Sequence, residues 1–279
     1  MTIVTRFAPS PTGRLHLGHA RAACFAADAA HHAGGRFLLR IEDIDATRCR
    51  PEFEAGICED LGWLGLSWER PVRRQSEHMA QYRQALDRLE ARGVLYPCFC
   101  TRADIAAEIA RAGHAPHGAD GPVYPGICRR LTTDERAARR AFGHAFAVRL
   151  DVAAALALTG PLRWYDADAG DIAADPLALG DVVLARKETP TSYHLAVTLD
   201  DHLQGVTLVT RGVDLFHATH VHRLLQALLG LDVPRWHHHP LLLGADGERL
   251  AKRHGAPTLQ SLRASGVTPA EIRSRIVSA

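Results

Sequence analysis

No stretch of about 18 uncharged apolar residues occurs in the chain, so no part of it reads as a membrane-spanning helix. The N-terminus, MTIVTRFAPS, lacks both the basic start and the apolar run of a secretory signal, and the expected location is cytoplasmic. Formal net charge is only +2, which advertises no broad electrostatic grip on nucleic acid, although 33 Lys and Arg side chains can still gather on one face. Internal repeats and low-complexity segments are also missing. What is present is 279 residues of 47% apolar content, enough to bury a core in one large or two small domains.

Ile3 to Ala8 reads as a short strand, which Pro9, Pro11 and Gly13 break before an apolar helical stretch from Leu17 to Ala30. A second strand, Arg36 to Ile41, follows Gly34 and Gly35, so the first 45 residues form a βαβ pattern with a parallel sheet. Helical patterns at about 52–65 and 77–92 lead into a stretch from Tyr96 to Cys128 rich in Gly, Pro, His and Cys. That stretch opens an insertion expected to end near residue 186, with strands at Ala145 to Leu150, Arg163 to Tyr165 and Asp181 to Ala185. The sheet is expected to resume with strands at His194 to Leu199 and Thr207 to Arg211. A helix at about 217–230, a strand from Leu241 to Leu243, a Gly-rich loop and weak helices follow.

Three constellations carry chemistry. The first, RFAPSPTGRLHLGH, lies where a strand hands over to a helix, and His16, Gly18 and His19 stand at the helix start. A helix N-terminus offers unpaired N–H groups and a positive dipole end, Gly18 permits close approach, and two histidines three apart share a face, so the turn suits phosphate. The plainer alternative is a proline-rich turn whose histidines only cap the helix. The second is Arg249-Leu250-Ala251-Lys252-Arg253 between Gly247 and Gly255, a basic loop able to close over a triphosphate or simply to stay solvated. The third is Cys98, Cys100 and Cys128. Six cysteines in a reducing compartment are poor disulfide candidates, and these three can supply most of a tetrahedral, structural zinc site. Ligand chemistry alone nominates His117 or His114 as the fourth donor, while Cys24, Cys49 and Cys58 read as incidental thiols.

HxGH and RLAKR together resemble the two signature motifs of class I aminoacyl-tRNA synthetases. RFAPSPTGRLHLGHARAA, RIEDID and DDHLQGVTLVTRGVDL resemble the glutamyl-tRNA synthetase family more closely, over nearly the whole chain. The resemblance implies an α/β fold: a Rossmann-like catalytic domain in two halves, 1–95 and 187–279, split by a zinc-binding insertion at 96–186. It implies a glutamate pocket formed by Arg6, Phe7, Ala8, Pro9, Ser10, Glu42, Tyr193 and Arg211. Glutamate is a dianion with one ammonium, and two arginines with one glutamate supply the matching charges. ATP, with Mg2+, is expected against His16, Gly18, His19, His238, Arg249 and Lys252, with His16, His19 and Lys252 stabilising the transferring phosphate. Tyr124-Pro125-Gly126-Ile127-Cys128 resembles the family's tyrosine-x3-cysteine segment, which puts Tyr124 first as the fourth zinc ligand. The second motif departs from the family, with Arg249 in place of lysine and Ala251 in place of serine.

Only residues 253–279 follow Lys252, and chains under about 40 residues rarely build an independent core, so no anticodon-reading domain is expected. The resemblance narrows to a short branch of the family that transfers glutamate to queuosine in the anticodon stem-loop of tRNA(Asp). Rival readings are a truncated synthetase charging a tRNA 3′ end, an inactive nucleotide-binding module, and an oxidoreductase. The last is disfavoured because the first strand-to-helix turn lacks GxGxxG.

Overall fold

The computed structural model describes residues 2–111, 117–118, 121–242 and 257–277. Strand β1 (Val4–Phe7) turns into helix α1 (Leu17–His32), and β2 (Arg36–Ile41) returns parallel to β1 with Val4 opposite Arg36 and Phe7 opposite Leu39. Glycine is required at the crossover: Gly34 sits at φ +59°, and a Cβ on Gly35 would lie 2.1 Å from the Ile3 carbonyl oxygen. Helix α2 (Pro51–Trp63) starts with proline and Glu52 and Glu54 in its first turn, suited to a helix N-terminus. It leads to β3 (Glu69–Arg74), parallel to β2.

Helix α3 (Met79–Ala91), β4 (Leu95–Cys98), α4 (Arg102–Arg111), the short β5 (His117–Gly118) and β6 (Gly121–Pro122), α5 (Thr133–Ala141) and β7 (Ala147–Leu150) follow. After α6 (Val152–Thr159) come β8 (Arg163–Asp166), β9 (Gly170–Ala173), β10 (Val183–Ala185), α7 (Tyr193–Leu203), β11 (Leu208–Gly212), α8 (Ala218–Leu229) and β12 (Arg235–His239). Helices α9 (Leu259–Ala264) and α10 (Pro269–Val277) close the described chain, in which no helix is long and apolar enough to cross a membrane.

The parallel set β1-β2-β3 abuts a second sheet ordered β11-β12-β8-β9. At the junction the Thr207 N–H donates to the Val4 carbonyl at 3.0 Å and the Val4 N–H donates to Thr207 Oγ1 at 2.8 Å. A separate antiparallel sheet, β10-β7-β4, carries the segment that leads to the thiols.

Strand alternation decides where the polar groups go. Phe7, Phe37, Leu39 and Ile41 pack with α1, α2, α9 and α10 in one core. Val4, Leu38 and Val209 belong to a core on the other face, so Arg6, Arg40, Glu42 and Arg211, each an even number of residues away, share that second face. Another core gathers α3, α6, α7 and α8 around Tyr82, Leu89, Leu195 and Leu225.

Several sequence expectations fail here for physical reasons. His194 to Leu199, expected as a strand, is the body of α7; Leu195 to Asp201 are all buried, so no polar face marked the helical period. The strand near the C-terminus is β12, from Arg235 to His239, rather than Leu241 to Leu243, whose first two residues are irregular and whose third lies outside the described residues. β8, assigned to the insertion, instead pairs with β12 through Asp166 and Trp236, so residues 96–186 contribute a hairpin to the catalytic sheet.

Candidate active site

The ends of β1 and β2 and the start of α1 meet in one corner. His16 is the N-cap of α1; its Nδ1 accepts the Gly18 N–H at 3.1 Å, and His19 Nδ1 accepts the His16 N–H at 3.2 Å, a reciprocal box that satisfies two helix-start donors. With each Nδ1 lone pair engaged, the neutral rings carry their protons on Nε2, and the two rings lie 3.9 Å apart at a tilt of 42°. A helix N-terminus carries a positive dipole end, which favours an anion there. The Glu42 N–H donates to the Pro9 carbonyl at 3.0 Å, tying the end of β2 to the Phe7–Ala8–Pro9–Ser10 turn. Thr258 bridges to His16, and the Leu259 N–H donates to the Leu15 carbonyl at 2.8 Å. The chain that follows the basic loop therefore returns to the HxGH turn, although Arg249 and Lys252 themselves lie outside the described residues.

Beneath this corner lies a buried charge network. Arg6 donates through Nε to Asp201 at 2.8 Å and through Nη1 to the Thr210 carbonyl at 3.1 Å. Arg40, wholly buried, reaches Asp201 at 2.7 Å and Glu42 at 3.0 Å. Burial pushes the Glu42 carboxyl above its usual range against the pull of Arg40 and Arg6. For Asp201 burial acts in the same sense, but Arg6 and Arg40 outweigh it and hold the carboxyl low.

Arg211 differs. Its guanidinium donates to His238 Nε2 at 3.1 Å, Tyr193 Oη at 3.3 Å and Thr219 Oγ1 at 2.5 Å, and lies 3.2 Å from His222 Nδ1. All four partners are neutral groups: burial and the nearby guanidinium drive His222 well below its ordinary value, and they bring His238 down to about 4. Arg211 is thus a buried cation with no carboxylate among its described hydrogen-bond partners. Such a charge is costly unless an anion arrives to meet it.

At the C-terminal end of β4, the Cys98, Cys100 and Cys128 sulfurs lie within 4.8 Å of one another. Tyr124 Oη is 3.4 Å from Cys98 Sγ and 3.6 Å from Cys100 Sγ, and Cys100 and Cys128 are 3.4 Å apart. Ligands about 2.0–2.3 Å from a tetrahedral zinc stand roughly 3.5–3.8 Å from each other, so these spacings fit that ion. Of the histidines considered as a fourth donor, His114 lies outside the described residues and only the backbone of His117 is described.

Residues 2–277 match the family described as tRNA synthetases class I (E and Q), catalytic domain. The chain belongs to these class I tRNA synthetases. A glutamyl-Q tRNA(Asp) synthetase of Rhodobacter capsulatus is 52% identical across 98% of this chain and 99% of its own length. A glutamate-tRNA ligase of Aquifex aeolicus is 39% identical across 96% of this chain and 55% of its own length. The crystal structure of the glutamate-tRNA synthetase from Elizabethkingia anophelis superposes with a TM-score of 0.76 at 29% identity, covering 91% of this chain and 53% of that one. The chain spans about half the length of those two proteins.

Within this class I synthetase domain the structure gathers Arg6, Glu42, Tyr193 and Arg211 toward the carboxyl ends of the parallel strands, and His16 and His19 stand at the start of the helix that follows the first of them. The His238 ring lies between Asp166, 2.7 Å from Nδ1, and Arg211, whose Nε is 3.1 Å from Nε2. Sequence reasoning missed Arg40, Asp201, Thr219 and His222. Arg40 had a signal, since it stands two residues before Glu42 on the same strand face. The others come from helices whose packing against the sheet no local pattern discloses.

Proposed function

We propose that this class I synthetase activates glutamate with ATP in the absence of tRNA, then transfers it to the cyclopentene-diol of queuosine in the anticodon of tRNA(Asp). The observation that carries the first half is Arg211, a buried guanidinium with only neutral hydrogen-bond partners among the described residues. A side-chain carboxylate meets the charge of Arg211 and the α-ammonium approaches Glu42, which Arg40 already holds, with Tyr193 and the Arg6–Ser10 turn closing the pocket. The α-carboxylate oxygen of glutamate then attacks the α-phosphorus of ATP, the bond to the bridging oxygen breaks, and pyrophosphate leaves with its Mg2+. His16 and His19 donate from Nε2 to the phosphates, and Lys252 joins them from the segment that precedes Thr258. No covalent enzyme intermediate is needed, because the mixed anhydride is itself activated. A ring hydroxyl of the acceptor attacks its carbonyl, and AMP departs.

The choice of acceptor is supported by the relative that matches this chain end to end, whose name specifies a glutamyl-Q tRNA(Asp) product. Residues 96–186 supply the candidate contact surface: exposed Arg139 and Arg140 stack over Phe99 and Phe146, a basic and aromatic pairing suited to an RNA loop. Cys98, Cys100, Tyr124 and Cys128 would hold one zinc ion, which would staple that surface and take no part in the chemistry. The test of glutamate activation is ATP–pyrophosphate exchange with purified protein alone. Exchange that depends on glutamate and needs no tRNA is expected; exchange appearing only when tRNA is added would refute the first half.

A further inference from the structure

A buried carboxylate with four donors aimed at it lies outside the pocket proper. Asp166, on β8, has a side chain only 2% exposed. Its Oδ1 accepts the N–H groups of Asp168 at 3.0 Å and Ala169 at 3.1 Å. Its Oδ2 accepts from His238 twice, from Nδ1 at 2.7 Å and from the backbone N–H at 3.2 Å. On the far side of the same ring, His238 Nε2 is 3.1 Å from Arg211 Nε.

We propose that Asp166 is a positioning residue for the glutamate pocket, acting on Arg211 through the imidazole of His238. The inference rests on the glutamate reading of that pocket. The logic is one of tautomers. A carboxylate has only lone pairs to offer, so it fixes the His238 proton on Nδ1, and Nε2 is left with a lone pair that can only accept. Arg211 has only donors, and the Nε–H therefore has one fixed address. Interposing a neutral ring has a second effect: the carboxylate orients the guanidinium without sitting against it. A direct Asp–Arg pair would compete with the substrate carboxylate for the same N–H fork, as Asp201 occupies Arg6. His222 works in the same sense, since its Nδ1 faces Arg211 while its Nε2 lies 3.2 Å from His194 Nδ1. Burial holds the His194 ring neutral, with its value at about 4, and it also depresses His222 and His238. Asp166 itself stays ionised: burial would raise it, and the bonds from His238 and the Ala169 and Asp168 amides bring it below its ordinary range.

Asp166→Asn tests this with almost no change of volume. The N–H groups of Asp168 and Ala169 keep the amide oxygen at the Oδ1 position, so the amide nitrogen faces His238. The ring must then accept on Nδ1 and carry its proton on Nε2, pointing a donor at a donor on Arg211. The expected result in tRNA-free exchange is a rise of about tenfold or more in the KM for glutamate, with the KM for ATP within about twofold of wild type. In an Arg211→Lys background the same change should add little, because its target is gone. Nitrogen-15 NMR of labelled histidine should show His238 protonated on Nδ1 in the wild type and on Nε2 in the variant. A folded Asp166→Asn protein with unchanged glutamate KM would overturn the proposal, and so would a wild-type His238 protonated on Nε2. The wild-type tautomer decides the matter even if the variant fails to fold. Wild-type protein showing no glutamate-dependent exchange would instead count against the pocket's reading, leaving the tautomer to test the brace by itself.

Discussion

Replacing Asp201 by asparagine removes one negative charge from between two buried guanidiniums. The wild-type carboxylate receives Arg6 Nε at 2.8 Å, Arg6 Nη2 at 3.4 Å and Arg40 Nη1 at 2.7 Å, and the Arg40 side chain has no exposed surface. An amide keeps one acceptor and turns a donor toward a cation. Arg40 retains Glu42 at 3.0 Å and Asp200 at 3.9 Å, whereas Arg6 retains only the Thr210 carbonyl among these partners. Breaking a buried ion pair costs about 3–5 kcal/mol, and the partners left to Arg40 place Asp201→Asn near the lower end, about 3–4 kcal/mol. At about 3 °C per kcal/mol for a protein of this size, Tm should fall by roughly 9–12 °C at neutral pH. Asp232→Asn is the control: that carboxylate pairs with His202, is 83% exposed, and should cost less than about 0.5 kcal/mol. Scanning calorimetry of the three proteins decides between them, and an Asp201→Asn loss no larger than the control's would refute the reasoning. The pH dependence has a definite sign. A carboxyl held low in the folded state stabilises above its unfolded value near about 4 and loses that contribution as pH falls, so wild type and variant should converge in acid.

Two other perturbations separate the zinc site from the chemistry. Elemental analysis should find one zinc per chain; Cys128→Ser should lose it and open the segment around residues 96–150 to proteolysis while leaving exchange within a few-fold, and a metal-free protein equally resistant to protease would contradict this. Lys252→Ala should slow exchange by at least about tenfold, the equivalent of about 1.4 kcal/mol of transition-state stabilisation, and a smaller effect in rapid-quench single turnovers would remove lysine from the phosphate site.

Much of the catalytic half was legible because its local patterns agree with its tertiary role. Arg36 to Ile41 alternates apolar residues toward α1, the double glycine marks the crossover, and the HxGH turn reads as a helix start that the structure caps with the same histidines. Segments went unread where burial is uniform or charge masks the fold. β3, Glu-Arg-Pro-Val-Arg-Arg, looks like a solvated turn, yet an edge strand tolerates proline and exposed charge. β12 hides in a run of histidines, a poor strand signal, and supplies His238 to Arg211. The individual site residues were visible as types, but their division of labour was not. That Arg6 is already matched by Asp201 while Arg211 is left to neutral partners depends on which helix packs over the sheet, and α7 was the helix read as a strand.

The central claim is the destination of glutamate, and the direct measurement is transfer of radiolabelled glutamate by the purified protein to three RNAs. These are tRNA(Asp) bearing queuosine but lacking its 3′-terminal adenosine, the same tRNA without queuosine, and intact unmodified tRNA(Glu). Label on the first alone is the expected result, because the acceptor hydroxyl then lies on the modified base. Efficient charging of tRNA(Glu), with none on the queuosine-bearing RNA, would contradict the account and make the chain a synthetase of the tRNA 3′ end.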